Sequence, residues 1–227
     1  MSKYSNDEHL EKEEYRGQEA DLSTAHEKLQ KELSPLENDA TTFKQLEIFN
    51  KKGGKFDEQM LRELHKIALG AGTNIYGGIF RGESGENPGG TIRVGDHIAP
   101  TNGQVPSLLK KFINWLNEEE QKIGNGEGMG LQNLAGEAHV RFSLLHPYGN
   151  GNGRACRALV NLLMLRHGRT QFVIPEEFRQ QYNLYLGKTD QTDFLKLMAR
   201  CVQNYTGRKR RDRDREKRLR ERTRFRV

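Results

Sequence analysis

Residues 146–165 read HPYGNGNGRACRALVNLLML. A histidine and a proline are followed by three glycines in five residues and then by an almost unbroken apolar run. Leu159, Val160, Leu162, Leu163, Met164 and Leu165 leave that run without a polar face, which predicts a helix buried on all sides at the centre of an α-helical domain. Immediately upstream, LQNLAGEAHVRFSLL spaces Leu134, Ala138, Phe142 and Leu145 at helical intervals until Pro147 stops the pattern. The order is therefore helix, glycine turn, central buried helix.

A glycine-rich turn feeding a helix N-terminus is an anion site. The first backbone N–H groups of the helix have no partner within it, the helix dipole favours negative charge, and glycines let an oxyanion approach closely. Arg154 and Arg157 stand three apart in the first turn, so one anion can meet both. Two cations there oppose the dipole, a cost that an anionic ligand offsets. His146, before Pro147, places a titratable imidazole beside the turn, as removal of a hydroxyl proton near a phosphate requires. The stretch from 146 to 157 contains no acid.

Farther from the turn, DEQMLRELHKIALG puts Met60, Leu61, Leu64, Ile67 and Ala68 on one helical face and ends at Gly70, a natural C-cap. Nine glycines lie between Ala71 and Gly103. Within that region, Thr91-Ile92-Arg93-Val94, the Gly95-Asp96 turn and His97-Ile98 predict a β-hairpin. VPSLLKKFINWLNEEE predicts an amphipathic helix with Leu108, Leu109, Phe112, Ile113 and Leu116 inward, and GNGEGMG a link. Two more helices are predicted around PEEFRQQYNLYLG and TDFLKLMARCVQNY. Residues 1–32 are polar, disordered or loosely helical by composition. Helical spacing begins at STAHEKLQKEL, and Ser34-Pro35 interrupts that helix or opens the next.

Hydrophobic residues are 34% of the 227-residue chain and the mean hydropathy is −0.87, which suits one domain with polar extensions. The formal charge of +6 is uneven. Residues 207–227 hold twelve Lys or Arg against four Asp or Glu, a net of +8 that leaves −2 for the remainder. That tail is expected to meet an acidic partner, an import receptor or RNA through charge. Phe225 is its only aromatic residue, which argues against base-stacking recognition of single strands. Two cysteines, Cys156 and Cys201, make no disulfide framework and read as buried thiols. With no long apolar run and no signal-like start, the expectation is a cytoplasmic or nuclear protein that does not enter a membrane.

The turn resembles the signature of Fic (Fido) domain proteins, H-x-F-x-D/E-G-N-G-R-x-x-R, at His146, Gly151, Asn152, Gly153, Arg154 and Arg157. The likeness runs from Leu33 to Tyr205 and is nearest to the animal-type protein adenylyltransferases. It implies an all-α, Fic-type helical bundle with a small β-hairpin flap, and transfer of AMP from ATP to a Ser, Thr or Tyr hydroxyl of a target protein; some relatives also remove AMP. Carried over, it makes His146 the base, and Gly151, Asn152, Gly153, Arg154 and Arg157 the ATP-phosphate site. The flap at 90–99, with Thr91, Ile92, Arg93 and Val94, would dock the protein target by strand addition. Tyr148 takes the position of the family's Phe, so its hydroxyl needs a partner if buried. Relatives also pair as homodimers.

The match departs at Asn150, where the family has an Asp or Glu that binds Mg2+ (or Mn2+). The amide keeps an oxygen and loses the charge that Mg2+ prefers. Residues 33–38 stand where many relatives have an inhibitory helix, with Glu37 as its candidate glutamate pairing with Arg157; Leu33 replaces the usual Ser or Thr. YLGKTDQTDF is shorter than the family's adenine-side segment and supplies no assigned contact. Alternatives to an AMP transferase are a nucleotide- or partner-binding pseudoenzyme and a Fic transferase with other donor chemistry.

Overall fold

The run that follows the glycine turn is a helix, and it is buried all round as its composition requires. In the computed structural model, which describes residues 39–70, 77–83, 91–169 and 172–202, this helix is α5 (Asn152–Arg166) in chain order. Before it come α1 (Asp39–Asn50), α2 (Glu58–Leu69), α3 (Val105–Gly124) and α4 (Leu131–Leu145); after it come α6 (Arg179–Tyr185) and α7, residues 192–202. A hairpin of β1 (Arg93–Val94) and β2 (His97–Ile98) pairs Arg93 with Ile98 and Val94 with His97. The described residues are thus predominantly helical with one small hairpin.

Each boundary has a local cause. Asp57 caps α2 by accepting the Met60 N–H at 2.6 Å, and Gly70 ends it at φ 83°. A proline in its first turn suits α3, because the missing N–H would have had no partner there. Helix α5 begins at Asn152 rather than after the glycines, so Gly153 lies inside its first turn.

Helices α4 and α5 form the centre because both contribute to two apolar clusters. On one side Leu134, Ala138 and Phe142 of α4 and Leu159, Leu162 and Leu163 of α5 meet Leu46, Leu61, Leu64, Leu109, Phe112 and Leu116 from α1, α2 and α3. On the other, Ala135, Val140, Val160 and Met164 meet Tyr182 of α6 and Phe194, Leu197, Met198 and Cys201 of α7. A fully buried Leu or Phe in such a cluster contributes roughly 1.5–3 kcal/mol. Gly136 lets α7 approach α4 closely, since a Cβ there would lie 3.1 Å from Leu195 Cδ2. Both cysteines are buried, and burial pushes the Cys201 thiol up to about 11. No helix among the described residues is long and apolar enough to cross a membrane.

Candidate functional site

His146 is the hinge between α4 and the turn. It is the only non-glycine residue with positive φ among those described, at φ 49° and ψ 58°, a left-handed conformation that costs an ordinary residue roughly 1–2 kcal/mol. Arg81 holds it there. The guanidinium, 2% exposed, donates from Nε to the His146 carbonyl at 2.6 Å and from Nη2 to the Leu145 carbonyl at 3.3 Å. Its backbone N–H donates to the Pro147 carbonyl at 2.8 Å. The same side chain reaches Pro100 O at 2.8 Å and Asn102 Oδ1 at 3.2 Å, just past the hairpin. A cation at a helix C-terminus also suits the dipole.

The turn itself is braced from α2. Tyr148 is 1% exposed, stacks on His65 at 3.7 Å between ring centroids, and donates its hydroxyl to the Leu61 carbonyl at 2.7 Å. The hydroxyl that separates it from the family's Phe is therefore satisfied. Tyr148→Phe should cost about 1 kcal/mol in urea unfolding; a loss above about 3 kcal/mol would mean that the hydroxyl does more than cap one carbonyl.

His65 accepts the Gly78 N–H at Nδ1, 2.9 Å, so its proton sits on Nε2, which donates to the Asn150 carbonyl at 3.0 Å. Asn152 clamps Tyr148 from the other side, accepting its N–H at 3.0 Å and donating to its carbonyl at 2.8 Å. Gly151, at φ 75°, would be strained as any other residue, and a Cβ would press on Leu69 Cδ2 at 2.7 Å and His65 Nε2 at 3.0 Å.

Arg154 and Arg157 fold back over this turn. Arg154 Nη2 lies 3.4 Å from where a Cβ on Gly151 would be, and Arg157 Nη1 the same distance from one on Gly153. Three imidazoles, those of the buried His65 and His139 and of the half-buried His146, each feel an arginine. Burial first and then Arg154 push His65 down to about 4; burial and Arg157 push His139 down to about 3; burial and Arg81 push His146 down to about 4. The Ser143 backbone tempers the His146 shift without making a well-formed hydrogen bond to Nδ1. His146 is accordingly a neutral imidazole at pH 7, in surroundings that favour anions.

A divalent cation does not fit the residues present. Asn150 Oδ1 accepts the Gly151 N–H at 2.6 Å, and no group of three or more His, Cys, Asp or Glu that could hold a metal occurs among the described residues.

Of Thr91, Ile92, Arg93 and Val94 only Arg93 and Val94 form a strand; Ile92 joins the hairpin through its carbonyl, which accepts the Ala99 N–H at 2.9 Å, and Thr91 and Arg93 are exposed. Ile98 on β2 is 54% exposed. The structure brings Asn150, Gly151, Asn152, Gly153, Arg154 and Arg157 together with His146 around one turn. It gives the Asn152 side chain to Tyr148, leaving the Asn152 N–H at the helix start. Glu37, the extension 1–32 and the tail 206–227 lie outside the described residues. His65 and Arg81 went unnoticed in the sequence: the first sits on an apolar helix face that reads as core, the second in a glycine-rich stretch without periodicity. A histidine on an otherwise apolar face was the one available signal.

Residues 55–164 match the Fic/DOC family. The protein adenylyltransferase Fic of Drosophila mojavensis is 33% identical over 144 residues, 62% of this chain and 26% of the relative. That of Drosophila melanogaster is 33% identical over the same length, 62% and 27%. The chain thus spans about a quarter of these relatives. Among solved structures, Fic-1 (residues 134–508) of C. elegans is 27% identical with a TM-score of 0.55, over 71% of this chain and 46% of that one. A Fic domain containing signaling protein of Bacteroides thetaiotaomicron gives 21% and 0.57, over 71% and 65%, a likeness of fold.

Proposed function

From the Fic/DOC domain that this chain carries over residues 55–164, we propose that it transfers AMP from ATP to a Ser, Thr or Tyr hydroxyl of a target protein. The observation that carries this reading is a single turn that opens on a neutral His146 and closes on a helix start, where the Arg154 and Arg157 guanidiniums lie against Gly151 and Gly153. A polyanion needs the second set and a hydroxyl nucleophile needs the first. The target oxygen bonds to the α-phosphorus, the bond from that phosphorus to the bridging oxygen breaks, and pyrophosphate leaves. His146 takes the hydroxyl proton. The N–H groups opening α5 and the two arginines hold the phosphates as charge shifts to the leaving group. The edge of β1 at Arg93 and Val94, with Thr91 and Ile92 leading into it, is where an extended target segment would add with little demand on its sequence.

Asn150 favours a second reading, a nucleotide-binding module that transfers slowly or not at all. The turn retains its anion donors, but its one side-chain oxygen at that position is uncharged and already accepts the Gly151 N–H. An aspartate could accept the same N–H and add the charge. Asn150→Asp is therefore expected to raise Mg2+-stimulated AMP transfer about tenfold or more, while transfer by the wild type responds little to a chelator. Intact-mass measurement of the AMP adduct after incubation with ATP decides. Adduct on neither protein, with ATP still raising the melting temperature of both, leaves only the binding module.

A further inference from the structure

The flap is held at its tip as well as at its base. The Asp96 N–H, in the hairpin turn, donates to the Gly187 carbonyl at 3.1 Å. Gly187, at φ 84°, follows α6 so closely that a Cβ on it would fall on the Val94 carbonyl oxygen; only glycine fits. A Cβ on Gly95 would in turn lie 2.9 Å from the Leu186 carbonyl. The end of α6 therefore clasps the hairpin turn.

Helix α6 has seven residues and one buried side chain, Tyr182. Its ring packs edge-on against His139 at 5.5 Å and tilted against Phe194 at 5.5 Å. Its hydroxyl meets His139 Nε2 at 2.9 Å. His139 is wholly buried and belongs to α4, the helix that His146 ends. The Tyr182 carbonyl accepts the Leu186 N–H at 3.0 Å, which carries the anchored helix directly into the clasp.

We propose that His139 and Tyr182 are positioning residues for the flap: their hydrogen bond registers α6 on the helix that bears His146, and the Leu186–Gly187 clasp passes that register to the hairpin tip. The flap's placement relative to His146 is then set from inside the domain, and with it the target segments that reach the base. This last consequence rests on the transferase reading; the placement of the flap does not.

Tyr182→Phe keeps the ring packing and removes the hydrogen bond. Amide hydrogen exchange followed by NMR should show the Asp96 N–H exchanging about tenfold faster, the scale of one lost hydrogen bond. The Ala99 N–H, which donates to Ile92 O at 2.9 Å within the hairpin, and the Leu159 N–H in α5 should keep their rates. Gly187→Ala should free the Asp96 N–H by a similar factor through the clasp itself. Unchanged Asp96 exchange in either variant, or equal acceleration at all three amides in Tyr182→Phe, overturns the proposal. If the wild type transfers AMP, Tyr182→Phe should also raise KM for the target protein and leave the ATP-induced rise in melting temperature unaltered; a KM equal to that of the wild type would remove the link to target choice. Absence of transfer in the wild type leaves the exchange result to stand or fall alone.

Discussion

Replacing His146 with alanine is expected to cut AMP transfer by about 10²–10⁴-fold, the usual contribution of a general base, while ATP still raises the melting temperature. The two effects separate because the phosphate donors belong to α5 and its arginines, whereas His146 closes α4 and is held through its backbone by Arg81. Burial and Arg81 push the imidazole down to about 4. It is free to accept a proton at every pH above that, at the cost of lower intrinsic basicity. The rate should therefore stay level from pH 8 to about 5.5 and fall as the pH approaches 4. His146→Asn serves as a second variant, since Asn tolerates the left-handed backbone better than Ala. Transfer by either variant at the wild-type rate would remove His146 from the chemistry.

Acid should weaken the domain before its carboxylates titrate. His65, His139 and His146 have folded values of about 4, 3 and 4, against roughly 6.5 in an unfolded chain. Above pH 6.5 all three are neutral in both states and their contribution is fully present. Below it the unfolded chain takes up protons that the folded one refuses, so stability drops as the pH falls towards the folded values. Each imidazole adds a slope of about 1.4 kcal/mol per pH unit through that window. Three together remove about 5 kcal/mol between pH 6 and 4.5, the low end of a typical domain stability of about 5–15 kcal/mol. Urea midpoints by circular dichroism from pH 7.5 to 4.5 measure this directly, and a flat profile would show that the imidazoles can be charged without unfolding the domain.

The central helices were legible in the sequence because their apolar spacing is a local property. Leu134, Ala138 and Phe142, then Leu159 to Leu165, announce a core without reference to anything distant. Helix α1 was not read, since in DATTFKQLEIFN the apolar residues include Ile48, which is 58% exposed, and no clean face emerges. The turn was legible for a different reason: its base, glycines and arginines are crowded into twelve residues.

Its supports were not legible, because they act across the fold. His65 reaches Asn150 over 85 positions and Arg81 reaches His146 over 65. Asn152 reads as part of a phosphate loop, yet in the structure its side chain braces Tyr148. Such roles depend on which backbone groups a turn leaves unpaired, and that is settled only when α2, the 77–83 segment and the turn meet.

The most direct test gives the purified chain and a mixture of cytosolic proteins ATP labelled at the α-phosphate in one reaction and at the γ-phosphate in another. Protein-bound label from the α position alone, lost in His146→Ala, is the result expected of AMP transfer at this turn. Label from the γ position alone, or α label that survives His146→Ala, would contradict it.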